Sequence, residues 1–185
     1  MNLINDRIKY LPASENPLSA DVYFIEGEKY CYIYDVGNNE NSEYHINQTN
    51  KEKTIILSHY HKDHTGNIDC LNYHDLYVGD KTYETISKGN VVSDTVTIKD
   101  GVKIEIIHCP SPHTDGSIII NVDNEYTLIA DLYFTRPPVN NEKAIQMINS
   151  LKNIDTKYFV VSHLKDEKII SKEKLVLELM DYFNQ

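Results

Sequence analysis

Basic residues are scarce in this chain. Eighteen lysines and arginines stand against twenty-eight aspartates and glutamates in 185 residues, a formal net charge of −10, and Arg7 and Arg136 are the only arginines. Such a field repels phosphate backbones and anionic lipid surfaces unless a local basic patch overrides it, so no nucleic-acid partner is expected. Bound metal ions could still reverse the sign locally. Long apolar runs are missing too. The longest span only a few residues, too short to cross a bilayer. The opening segment MNLINDRIKYLPASENP lacks the basic start and apolar stretch of a signal peptide, which makes a cytoplasmic location the expectation. Cysteine is sparse: Cys31, Cys70 and Cys109 are widely spaced, odd in number and without a Cys-x-x-Cys pair. They read as reduced thiols that pack as small hydrophobes.

What is present suits a folded domain. With 41% hydrophobic and 25% charged residues, the composition excludes a disordered or collagen-like chain. No repeat or linker divides it, so a single domain over residues 1–185 is expected, of mixed α/β class. Asp21 to Ile25 and Tyr30 to Tyr34 are β-branched and aromatic runs around Glu-Gly-Glu, which predicts a hairpin. Thr54 to Ser58 is a short continuous apolar run, the mark of a strand buried on both faces. Further strands are expected at Asp75 to Val78, Val102 to Ile107, Ile118 to Val122, Tyr126 to Ile129 and Tyr158 to Val161, with a short helix at Asp80 to Ser87. Asn141 can cap a helix carrying Ala144, Met147, Ile148 and Leu151 on one face, and Ser171 one carrying Leu175, Leu179 and Phe183. The polar stretch Asn38 to Lys53 reads as a long surface loop.

The chemistry is concentrated behind the buried strand. Ser58-His59-Tyr60-His61-Lys62-Asp63-His64-Thr65-Gly66-Asn67 places three imidazoles and a carboxylate within six positions. Imidazole and carboxylate suit zinc or iron, and residues at the carboxyl end of a strand converge above the sheet. His59 and His61 share one side of an extended stretch, while Asp63 and His64 in the following turn can face a second centre close by. Taken singly, His45, His74 and His108 read as ordinary surface or core residues.

The segment His59, His61, Asp63, His64 resembles the His-x-His-x-Asp-His motif of the metallo-β-lactamase-fold hydrolases. Pro112-His113-Thr114-Asp115-Gly116-Ser117 resembles that family's next histidine segment, with Pro112 where glycine is commoner. Asp131 after Leu128-Ile129-Ala130 looks like its bridging aspartate, and His163 after Val160-Val161-Ser162 its last histidine, with Ser162 in place of glycine. Asp35-Val36-Gly37 resembles an early Asp-x-Gly beneath the metals. The likeness runs from about residue 20 to 165 and implies a four-layer αββα sandwich.

It further implies two Zn2+, with iron or manganese as alternatives. One ion would be held by His59, His61 and His113, the other by Asp63, His64 and His163, with Asp131 bridging. Asp63 and Asp131 are then the catalytic carboxylates, and a bridging hydroxide would attack a carbonyl. The bridged set is similar to glyoxalase II and lactonases, implying a small ester, thioester or lactone as substrate. Alternatives are a mononuclear iron persulfide dioxygenase, a dizinc phosphodiesterase and, third, a non-catalytic metal-binding module. Flavodiiron proteins normally carry Glu at the place of His61 and add a flavin domain, which disfavours that branch. Lactonases place an acid tyrosine where this chain has Phe134; Tyr133, one position earlier, reads as core. Pro12 to Ser19, Asn38 to Lys53 and Arg136 to Asn141 are the expected specificity loops. Oligomeric state is not readable from the sequence.

Overall fold

Continuous apolar strands need cover on both faces, and the computed structural model, which describes residues 1–132, 134 and 141–183, provides it. In chain order the elements are β1 (Asn2–Leu3), β2 (Ile8–Leu11), β3 (Ser14–Glu15), β4 (Leu18–Ser19), β5 (Val22–Glu26), β6 (Tyr30–Tyr34), α1 (Glu40–Asn47), β7 (Glu52–Leu57) and α2 (Lys62–Thr65). A 3-10 turn (Ile68–Cys70) leads to β8 (Asp75–Val78), α3 (Asp80–Ile86), β9 (Asn90–Val91), β10 (Val96–Lys99), β11 (Lys103–His108) and β12 (Ile118–Val122). The chain continues through β13 (Tyr126–Ala130), α4 (Asn141–Asn153), β14 (Tyr158–Val161), β15 (Ile169–Ser171) and α5 (Lys172–Phe183). One sheet has the order β1-β2-β5-β6-β7-β8-β9 and the other β10-β11-β12-β13-β14-β15, while β3 and β4 pair as a separate hairpin.

Residue alternation explains the layers. Along β5 and β6, Tyr23, Ile25, Tyr32 and Tyr34 pack against Ile104, Ile106, Ile118, Ile120 and Leu128 of the other sheet, forming the inner core. Their neighbours Val22, Phe24, Cys31 and Ile33 point the other way, joining Ile55, Leu57 and Ile46 of α1 in an outer core. On the far side, Ile119, Ile129, Phe159 and Val161 meet Met147 and Leu151 of α4 and Leu175 and Leu179 of α5. Helix, sheet, sheet, helix is therefore the layer order. Each fully buried aliphatic or aromatic side chain contributes about 1.5–3 kcal/mol, which is why both outer faces must be covered.

Several sequence expectations need correction. The polar stretch Asn38 to Lys53 is not a plain loop: it contains α1, whose first turn is capped by the Asn39 side chain accepting from Ser42 N–H at 2.8 Å. Only Ser42 and Ile46 of α1 are buried, so it carries almost no apolar stripe to read. The strand expected from Thr54 begins at Glu52. Asn141 is the first helical residue of α4, and residue 140 lies outside the described residues. Ser171 does cap α5, accepting from Lys174 N–H at 3.3 Å. Among the described residues, no helix is long and apolar enough to cross a membrane.

Strand direction positions the site. β6, β7 and β8 are mutually parallel. In the second sheet β13 and β14 are parallel, and β11 shares their direction through two antiparallel steps. The carboxyl ends of β6, β7, β11, β13 and β14 consequently open on one edge of the sandwich.

Candidate metal centre

Each donor follows one of those strand ends. Ser58 and His59 leave β7, and His61 is the N-cap of α2, so Asp63 and His64 sit in that helix's single turn. His113 lies in the connection from β11 to β12, Asp131 directly after β13 and His163 after β14. Asp35 (φ 60°), Ala130 (φ 46°) and His163 (φ 60°) occupy the left-handed region that non-glycine residues avoid. Strain of this kind persists where surrounding contacts over-determine it; Ser87, Asp123, Asn124 and Glu167 adopt it too, outside the candidate site.

Two donor groups result. His59 Nε2, His61 Nδ1 and His113 Nε2 form a triangle with sides of 3.0, 3.1 and 3.2 Å. Tetrahedral ligands about 2 Å from a zinc ion stand about 3.3 Å apart, close to this spacing. Asp63, His64, Asp131 and His163 form the second group. His64 Nε2 lies 3.5 Å from Asp63 Oδ2 and 3.3 Å from Asp131 Oδ2; His163 Nε2 lies 3.2 Å from Asp63 Oδ2 and 3.6 Å from Asp131 Oδ1. Asp131 Oδ2 is also 3.7 Å from His113 Nε2, so one carboxylate faces both groups.

A supporting layer sets the tautomers. Ser58 Oγ donates to Asp35 Oδ2 at 2.8 Å and stands 2.9 Å from His59 Nδ1, from which it accepts. That keeps the His59 proton on Nδ1 and leaves Nε2 as a free lone pair. Asp35 Oδ2 likewise holds His64 Nδ1 at 2.7 Å, and the Phe134 carbonyl accepts from His113 Nδ1 at 2.6 Å. His163 is fixed through its backbone: its N–H donates to Asp21 Oδ2 at 2.7 Å. Asp21 also accepts from Ser162 Oγ (3.0 Å) and from buried Lys168 Nζ (2.8 Å), tying the turn after β14 to the strand β5 of the other sheet.

The electrostatics are those of a cation site. Burial, then the neighbouring imidazoles, hold His59 well below its ordinary range, and burial followed by His113 lowers His61. Neutral imidazoles are what a metal requires. Burial opposes ionisation of Asp63, yet the His163 hydrogen bond and the His64 charge pull it down to about 2. Burial would lower His64, but Asp35 and Asp131 outweigh it and push it up to about 10. His64 Nε2 and Asp131 Oδ1 are buried without a hydrogen-bond partner, although ionic neighbours stand within 3.6 Å. Orphaned buried polar atoms are costly. A cation in the second group would satisfy both, so the residues present fit a metal.

All seven sequence-predicted donors thus come together. Five of them, His61, Asp63, His113, Asp131 and His163, line a groove of about 850 Å³ together with Leu18, Lys62, Pro112 and Phe134. Lys62 is exposed on α2, and its ammonium pairs with no acid among the described residues. Of the expected specificity loops, Pro12 to Ser19 reaches the groove through Leu18, whereas Asn38 to Lys53 contributes no lining residue. Tyr133 and residues 135–140 lie outside the described residues. His74 stacks on Tyr30 away from the donors, with ring centroids 5.0 Å apart. Sequence reasoning passed over Ser58, Asp21 and Lys168. Ser58 was findable as the polar residue closing an apolar strand; Asp21 and Lys168 carry no local signal.

Residues 16–71 match the family model described as the metallo-beta-lactamase superfamily. A comparison with curated proteins found no match. Among solved structures, a metallo-beta-lactamase from Pontibacter korlensis superposes with a TM-score of 0.75 at 16% identity, covering 100% of this chain and 98% of its own. Rubredoxin oxygen:oxidoreductase from Desulfovibrio gigas gives 0.76 at 11% identity, covering 100% of this chain and 61% of that one. A metallo-beta-lactamase superfamily protein from Sulfolobus tokodaii gives 0.65 at 17% identity, with 96% and 86% covered. The chain has the metallo-β-lactamase fold, with two clusters of potential metal ligands at the strand-end edge.

Proposed function

We propose that this protein is a metal-dependent hydrolase that binds two zinc ions, with iron or manganese as alternatives, and cleaves a small ester, thioester or lactone. The observation that carries the reading is the Asp131 carboxylate, which faces His113 on one side and His64 and His163 on the other. His59, His61 and His113 would hold one ion and Asp63, His64 and His163 the other, with Asp131 shared between them. When bound, the cations lower the pKa of a water towards about 7 and polarise the substrate carbonyl.

The chain's residues supply the rest. Asp63, ionised throughout the neutral range, presents its carboxylate to the groove as an acceptor that orients the attacking water. Leu18, Pro112 and Phe134 form apolar walls that limit water around the reacting carbonyl, and Lys62 offers one positive charge for a singly anionic substrate or leaving group. In the overall reaction the water oxygen bonds to the carbonyl carbon, the C–O or C–S bond breaks, and the alcohol or thiol leaves with the proton that water gives up.

An iron-dependent oxidoreductase is the second reading, because nitrogen and carboxylate donors suit iron equally and the Desulfovibrio gigas oxidoreductase shares the fold. Elemental analysis of protein prepared without chelators, followed by a panel of thioesters, lactones, activated esters and phosphodiesters, tests the proposal. Zinc with carbonyl-ester turnover supports it. One iron per chain with oxygen uptake on a persulfide would replace it with the dioxygenase, and turnover of phosphodiesters alone would keep the metals but change the substrate class.

A further inference from the structure

A second recess, of about 300 Å³, opens beside the groove between the β3–β4 hairpin and the turn after β14. Leu18 and His163 line both spaces, so the recess adjoins the groove on the side of the second donor group. Its charges are all compensated internally. Lys168 Nζ pairs with Asp21 at 2.8 Å on the floor and stands 5.2 Å from the centre of the Tyr10 ring. At the exposed rim Lys165 Nζ meets Glu15 at 3.1 Å, joining the turn to the hairpin. No unpaired charge therefore remains to attract an ion, in contrast to Lys62 in the groove. Between floor and rim the wall is Tyr10, Pro12, Ala13, Leu18 and Leu164, with the polar side chains of Asn2 and Ser14 hydrogen-bonded to the Tyr10 hydroxyl and the Pro17 carbonyl.

We infer that this recess is the subsite for an uncharged, apolar arm of the substrate, and that the protein prefers medium-chain esters or thioesters over acetyl esters. The inference rests on the proposed hydrolase reading and sharpens its substrate class. An apolar arm can enter without desolvating an unpaired charge, whereas an ionic arm would find its buried counter-charge, Lys168 or Asp21, already paired. At roughly 30 Å³ per small group the recess of about 300 Å³ takes at most roughly ten non-hydrogen atoms, room for the alkyl arm of a medium-chain acyl group whose carbonyl stays in the groove.

The test is a series of acetyl, butanoyl, hexanoyl, octanoyl and dodecanoyl thioesters assayed with the zinc-loaded protein. The expected result is a rise in kcat/KM of about threefold per methylene up to octanoyl, then a plateau or fall at dodecanoyl. Ala13→Leu should lower the hexanoyl-to-acetyl ratio at least tenfold, and the milder Ala13→Val should lower it by less. Each variant is checked for wild-type metal content and melting temperature. In parallel, hexan-1-ol added to the zinc-loaded protein should shift the amide resonances of Ala13 and Leu18, and this shift should vanish in Ala13→Leu. Turnover that is flat or falls with chain length would overturn the subsite while leaving the hydrolase standing. Absence of turnover on every thioester, activated ester and lactone would remove the carbonyl-hydrolase reading, and the amide shifts would then decide the subsite alone: no shift at Ala13 and Leu18 rejects it.

Discussion

Replacing Asp21 by alanine probes the tie between the two sheets at the candidate site. The carboxylate is 1% exposed and accepts from Ala13 N–H, Ser162 Oγ, His163 N–H and Lys168 Nζ. Its loss strands an ammonium whose side chain is only 9% exposed, and breaking a buried pair from one side costs about 3–5 kcal/mol. Against a total stability of about 5–15 kcal/mol that is a large fraction. Urea unfolding followed by circular dichroism should show the midpoint falling by about 1–2 M. In Asp21→Ala/Lys168→Met no charge is left unpaired, so much of the loss should return, and adding Lys168→Met alone completes the cycle that gives the coupling energy of the pair. The left-handed His163 backbone also loses its hydrogen-bonded tether, so a metal bound by the second group, as proposed, should be lost first in both variants. An Asp21→Ala protein within about 0.5 kcal/mol of wild type, or a double variant no more stable than the single one, would refute this reasoning.

Other outcomes follow from the same geometry. Gly79→Ala would drive its new methyl into the Gly116 carbonyl oxygen, in the segment that carries His113. It should lower both melting temperature and turnover, each read in one preparation. Burial pushes the Cys31 and Cys109 thiols up to about 12, so at pH 8 a thiol reagent should modify exposed Cys70 alone in the native protein and all three cysteines after unfolding. Because the folded state keeps those two protons while unfolded thiols release theirs near pH 9, stability measured by urea unfolding should decline as pH rises from about 9 towards 12. Chelation should leave far-ultraviolet circular dichroism unchanged but lower the melting temperature, since a ligand at a thousandfold its Kd stabilises the folded state by about 4 kcal/mol. His113→Ala should reduce turnover at least 100-fold, whereas His74→Ala, on the distant Tyr30 stack, should retain it.

Elements buried on both faces were the most legible in the sequence. β12 reads Ile-Ile-Ile-Asn-Val because successive residues enter different cores, and β7 ends in Ile-Ile-Leu for the same reason. α4 and α5 announce themselves by apolar stripes that cover one sheet. Short edge strands are different. β10 buries nothing fully and alternates with exposed Thr97 and Lys99, so it resembles a polar connection. α1 is held by a local cap rather than a stripe, which hides it in a polar stretch. The candidate donors stood out because four of them crowd one strand end; the residues that hold those side chains in place did not. Asp21 lies 147 positions from Lys168, and the Phe134 group that orients His113 is a backbone carbonyl, which no side-chain pattern reveals.

The central claim is that Asp131 joins two adjacent metal positions. Its most direct test is the metal-to-protein ratio of chelator-free wild type and of Asp131→Ala, measured by elemental analysis alongside circular dichroism. Close to two ions per chain in the wild type, a clear loss in the variant and an unchanged fold are expected, because Asp131 faces both donor groups rather than packing the core. A single ion per wild-type chain, or full metal content and activity in Asp131→Ala, would contradict it.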